Sequence, residues 1–239
     1  LRLLCESHVV LSAFGLNVVA AHQLLGLSAA AATIATKCEK IFVSQGSHAL
    51  AGQAAFMLGA AFADVGKWKQ ARSAWKRALT CDELRRAHIS SCDRRAALAQ
   101  ASAMVDFIER GELQESTIRE VSKLLLVSEE ILAPFGSTAP ALEALGKSLH
   151  IHAQLSILAK TPLNALRHLN RARESFLQIG ALREVALSDA LTGLALLEAS
   201  KQNGGELLDE AMAALQRALE FFARQGNVRI TWKVRYYLA

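Results

Sequence analysis

Three segments of this chain share one spelling, small-x-x-x-Phe-x-x-x-Gly: Cys38, Phe42 and Gly46; Ala172, Phe176 and Gly180; Ala218, Phe222 and Gly226. Residues four apart lie on one face of a helix, and a glycine one turn later ends a helix in the left-handed region. After each glycine an apolar helical pattern resumes within a few residues. A chain punctuated in this way is constrained to fold as successive helical hairpins.

Composition agrees. Of 239 residues, 52% are apolar and 21% charged, which suits a chain with a sizeable core and excludes a disordered one. Leu and Ala dominate, and three prolines and two tyrosines are too few for the turns and strands of a β-sandwich or barrel. The expected class is all-α. Apolar periodicity predicts helices near 2–14, 16–25, 29–44, 48–65, 68–81, 84–110, 116–133, 139–159, 163–179, 182–202, 207–225 and 228–238. Thr161-Pro162 and the run from Ser137 to Pro140 read as helix starts, and Asn203-Gly204-Gly205 as a loop. No low-complexity linker interrupts the chain, so a single domain over 1–239 is expected.

The segment from Ala55 to Leu79 reads as two amphipathic helices around Gly66. Small residues (Gly59, Ala71, Ala78) stand where two helices would cross, and Leu58, Phe62 and Trp75 are spaced to fill the layer between them. In order and spacing this segment resembles a tetratricopeptide repeat, with two departures: Ala55 replaces the large aromatic near the start, and Glu83 stands near the place of the closing proline. The second-helix pattern recurs at Ala165, Leu169 and Ala172 and at Ala211, Leu215 and Ala218. Degenerate copies are Ala31, Ala35, Cys38 and Ile118, Ser122, Leu125. Anchors at 31, 71, 118, 165 and 211 are separated by 40, 47, 47 and 46 residues, longer than the roughly 34 of the family.

The resemblance implies a right-handed α-solenoid of antiparallel hairpins. Its units are expected at about 10–46, 47–82, 84–134, 138–180 and 182–226, with a terminal helix at 228–238. It also implies a groove lined by the first helix of each hairpin, in which most family members hold a segment of another protein. In that register Phe56, Asp64, Phe107, Arg110, His150 and Gln154 are the candidate partner-binding residues. Family members that grip a chaperone's terminal carboxylate use lysine and asparagine on the inner helices. Here Phe56, Ala60, Ala63 and Asp64 fill those places, so that subtype is not expected.

The formal net charge is +5 and the basic residues cluster. Lys67, Lys69, Arg72, Lys76 and Arg77 lie on or beside one helix, and Arg85, Arg86, Arg94 and Arg95 could extend them into a ridge. The ridge is read as a solvated face or as a contact for an acidic partner or RNA phosphates. Aromatic residues are not interleaved with it, which counts against stacking on single strands. Trp68 and Trp75, seven apart, share a face and are expected in the core.

Ser7 to Thr36 carries no formal charge, but Asn17, His22, Gln23 and Gly26 interrupt it, so buried helices are expected there and no membrane span. Four cysteines without a C-x-x-C pair suggest a reducing, intracellular compartment, cytoplasmic or organellar. Cys81 and Cys92, with Arg85, Arg86 and His88 between them, are read as small core residues rather than reactive thiols. His150 and His152, two apart, cannot share a helical face, so no metal pair is expected. No phosphate loop and no nucleophile or paired-carboxylate motif is present, and neither catalysis nor a cofactor is expected. Three functions remain in view: a non-catalytic interaction scaffold, as subunit or adaptor of an assembly; a ligand- or peptide-sensing domain of a signalling regulator; and an RNA-associated repeat protein.

Overall fold

A computed structural model of the chain describes residues 14–23, 25–83, 89–202 and 205–226, with residues 231, 234, 235, 237 and 238. The expected helix over 2–14, apart from its last residue, lies outside the described residues, as do Arg85 and Arg86 of the basic ridge. Among the described residues every regular element is helical and none is a strand. Helix α1 covers residues 14–23. It is followed by α2 (Ser28–Ser44), α3 (His48–Asp64), α4 (Trp68–Glu83), α5 (Ile89–Arg110) and α6 (Glu115–Leu132). A 3-10 turn at Ala133–Phe135 leads to α7 (Ala139–Leu158), α8 (Pro162–Gln178), α9 (Leu182–Gln202) and α10 (Leu208–Arg224).

The repeated Phe-x-x-x-Gly spelling has a physical origin in how these helices stop. At the end of α2, the Gly46 N–H donates to the Val43 carbonyl and the Ser47 N–H to that of Phe42, at 3.1 and 2.9 Å. Gly180 and Ala181 repeat this on Leu177 and Phe176. The pair of bonds needs a left-handed residue between them, and Gly46 and Gly180 supply it at φ +69° and +68°. The phenylalanine is therefore the last residue of the helix to face inward. Phe42 and Phe176 are fully buried, and Phe222 very nearly so. Lys160 closes α7 with the same bonds at φ +57°, without being a glycine.

One boundary differs from expectation. A break is predicted near Gly15, but residues 14–23 form one helical run with Gly15 inside it. A Cβ there would stand 2.8 Å from the Cys38 Sγ, so this glycine lets α1 approach α2 and makes no turn. Close approach recurs inside the hairpins. A Cβ on Gly59 would enter the Trp75 ring, one on Gly146 the Phe176 ring at 2.5 Å, and one on Gly193 the Leu215 side chain at 2.5 Å. Each of these three hairpins is thus locked by a large residue of its second helix seated on a glycine of its first.

The chain forms two compact units, residues 1–109 and 110–239. In the first, α3 packs against both α2 and α4. Its core is built largely from alanine, with Val19, Ala31, Ala35, Leu58, Ala61 and Ala74 in one cluster. A second cluster joins Leu16, Cys38, Phe42, Ala51 and Ala54. Alanine at the crossings brings helix axes close enough for the few large side chains to fill the remaining space. In the second unit, α7 packs on α6, α8 and α9, and α9 on α8 and α10. Leu169 with Leu191, Phe176 with Val185, and Phe222 with Val234 hold these layers together. Val234 belongs to the expected terminal helix, which is helical wherever it is described.

Candidate functional site

The residues expected to line a groove fall into two groups. On α3, Phe56, Ala60 and Ala63 are half-buried and Asp64 is exposed, while the opposite face with Ala51, Ala55 and Leu58 is buried. The Phe56 carbonyl accepts a hydrogen bond from the Trp75 Nε1 at 3.0 Å, and Asp64 accepts one from Ser28 at 3.2 Å. Phe107 and Gln154 are half-buried and Arg110 is exposed. His150 departs from expectation: it is only 4% exposed and cannot face a partner. It lies against the Phe176 ring, with centroids 5.0 Å apart, and its Nε2 is 2.7 Å from the Ser188 Oγ. The Ser188 hydroxyl is also 3.0 Å from the Glu184 carbonyl, and with its proton given there it accepts from the imidazole Nε2. Burial pushes the His150 pKa down to about 4. Ser188 is itself fully buried, so this serine–histidine pair ties α7 to α9 and offers no nucleophile to solvent.

The basic ridge is also rearranged. Arg94 turns inward, 5% exposed, and donates to the Ala78 carbonyl at 2.9 Å. It fixes α5 to α4 and leaves the surface, because an amphipathic helix buries whichever side faces its neighbour, charged or not. Arg77 grips Glu39 through two bonds, at 2.7 and 3.0 Å, which hold its guanidinium charged. Lys69 pairs with Glu109 at 2.6 Å. Arg72 and Lys76 are exposed and make no ion pair among the described residues. Cys92 is buried, as expected of a core residue, whereas Cys81 is only half-buried; Cys38 is buried too, and burial pushes its thiol up.

Two clefts stand out. The first, of about 430 Å³, lies in the first unit between the start of α4 and the end of α5. Gly66, Trp68, Val105 and Ile108 form its apolar wall, and the Lys69–Glu109 pair crosses its rim. Ile108 is 60% exposed, so an apolar surface there is left open.

The second cleft, of about 500 Å³, lies in the second unit between α6 and α8 over α7. Ile118, Leu126 and Leu155 give it apolar walls; His152, His168 and Asn164 give it polar ones. The two imidazoles are 4.7 Å apart. Glu129 sits beside them, 3.8 Å from the His152 Nδ1, and pairs with Arg171 at 3.3 Å. Burial, the His168 ring and Arg171 together push the His152 pKa down to about 4, and burial also lowers that of His168. Both rings are therefore neutral near pH 7. Glu129, His152 and His168 come from three helices with no local spacing in common, so no motif could have announced them.

No protein-family model matches the chain, and no curated protein matches it. No helix among the described residues is long and apolar enough to cross a membrane.

Proposed function

We propose that this chain is a non-catalytic interaction scaffold of the tetratricopeptide-repeat type, holding a segment of another protein on the open faces of its stacked hairpins. The observation that carries the reading is the packing of the second unit. There α9, the first helix of one hairpin, rests on both α7 and α8 of the hairpin before it. Side-by-side hairpins of this kind share a core along one direction and keep a row of first helices open along the other. Half-exposed Phe56 and Phe107 on the first helices α3 and α5 of the other unit offer apolar contact at low entropic cost.

The test is quantitative affinity capture with cross-linking, comparing the native chain with a Phe56→Ala, Phe107→Ala variant of unchanged helical content. Proteins cross-linked near α3 or α5 and depleted by the variant support the scaffold. A purified chain that retains no protein above background, at any salt concentration, overturns it.

A second reading, a ligand-sensing helical domain, is favoured by the α6–α8 cleft, whose size suits a small molecule and whose wall carries neutral imidazoles. Thermal-shift screening against His152→Ala separates the two. The RNA reading is weakened, because Arg94 is buried and Arg77 is held by Glu39 through two bonds.

A further inference from the structure

We propose that the cleft between α4 and α5, together with the basic face of α4, is a docking site for an acidic protein segment carrying one bulky apolar side chain. This rests on the scaffold reading and names the partner's chemistry.

The cleft supplies an apolar socket. Val105 is 4% exposed and forms the floor, whereas Ile108 at the rim is 60% exposed. An apolar concavity of about 430 Å³ has room for one large side chain and is too small for a folded domain. The helix that starts there, α4, supplies the charge. From Val65 to Cys81 the chain has five cations and no acid. Lys69, Arg72 and Lys76 recur at i, i+3 and i+7, hence on one face, and all three are exposed. Lys69 belongs to both features, since it lines the socket and begins the stripe.

Dimensions then limit the occupant. Seven residues of helix span roughly 10 Å, the length of about three extended residues. Carboxylates on alternate residues of an extended segment recur about every 6.6 Å, close to the rise between Arg72 and Lys76. The Lys69–Glu109 pair is no obstacle. It is an exposed pair, with side chains 73% and 42% accessible and screened by solvent, so an incoming carboxylate can share Lys69. Protein is favoured over RNA because the stripe offers three cations beside a socket shaped for one aliphatic or aromatic side chain, without a run of aromatic faces for bases.

The probe is a fluorescein-labelled peptide with one leucine followed by alternating glutamates, titrated with the full chain at 50 and 200 mM salt. Controls replace leucine by serine, replace the glutamates by glutamines, or use a labelled single-stranded RNA. The expected result is saturable binding, weakened about tenfold by either peptide control, by Ile108→Asp and by Arg72→Glu with Lys76→Glu. Both sites are exposed, and circular dichroism checks that the variants fold. Binding of the leucine–glutamate peptide that is indifferent to Ile108→Asp, no binding of it at 50 mM salt, or tighter binding of RNA through the same stripe overturns the proposal. If the peptide fails while protein partners still cross-link to the chain near Phe56 and Phe107, the scaffold reading survives and this one falls.

Discussion

At the scale of single residues, the hairpins depend on positions where one atom decides the fit. A methyl group on Gly59 would run into the Trp75 indole nitrogen. Gly59→Ala is therefore expected to destabilise the protein by about 1–3 kcal/mol, as overpacking does, with part of the loss restored by Trp75→Leu in urea denaturation. Lys160 presents the reverse case. It holds φ +57° without being a glycine, and Lys160→Gly is expected to raise the urea midpoint by about 1 kcal/mol equivalent, provided the Gln202 bond to its carbonyl survives. His150 sets a pH dependence. Its folded pKa of about 4 lies below the ordinary 6.5, so as pH falls the unfolded chain takes up a proton first. Its neutral form leaves stability unaffected above about pH 6.5, and stability declines as pH falls toward 4, by about 2–3 kcal/mol over the whole window. His150→Gln keeps a donor for Ser188 and is expected to flatten that slope between pH 4 and 7; an unchanged slope would assign it to the neighbouring His152 and His168. The turn glycines and buried phenylalanines were legible in the sequence because a helix stop is written within five residues. The inward turn of His150 was not, because the serine that receives it stands 38 residues away.

At the scale of elements, helices are held together by charged side chains as well as apolar ones. Asp189 on α9 is 7% exposed, forms an ion pair with Arg173 on α8 at 3.5 Å and accepts a hydrogen bond from Arg217 on α10 at 3.3 Å. One carboxylate thus joins three helices. Asp189→Asn leaves two arginines facing a neutral amide and is expected to lower stability by about 1–3 kcal/mol in thermal and urea unfolding. Arg173→Met and Arg217→Met are each expected to lose less, since both arginines are half-exposed. Helix positions and ends were largely predictable from period and punctuation. Pairing was not, and Arg94 shows why. A wheel of α5 alone cannot tell a solvated arginine from one that reaches the Ala78 carbonyl of the preceding helix.

At the scale of the whole molecule, the chain divides into two compact units, and within each unit a helix draws its stability from the helices packed on it. A local defect is therefore expected to stay local. In Gly59→Ala, hydrogen exchange should rise across α3 and α4 while amides of α9 and α10 keep their native protection; uniform loss along the chain would instead mark one cooperative unit. By itself the sequence determined the all-helical class, the places where helices stop and the inward position of Phe42, Phe176 and Phe222. Those depend on periods of three to five residues, which backbone geometry enforces locally. Only the tertiary structure decided which cations remained on the surface, where Glu129, His152 and His168 met and where a socket opened beside Ile108. Each of these needs side chains from different helices to converge, and convergence follows from how helices pack rather than from how any one of them is spelled.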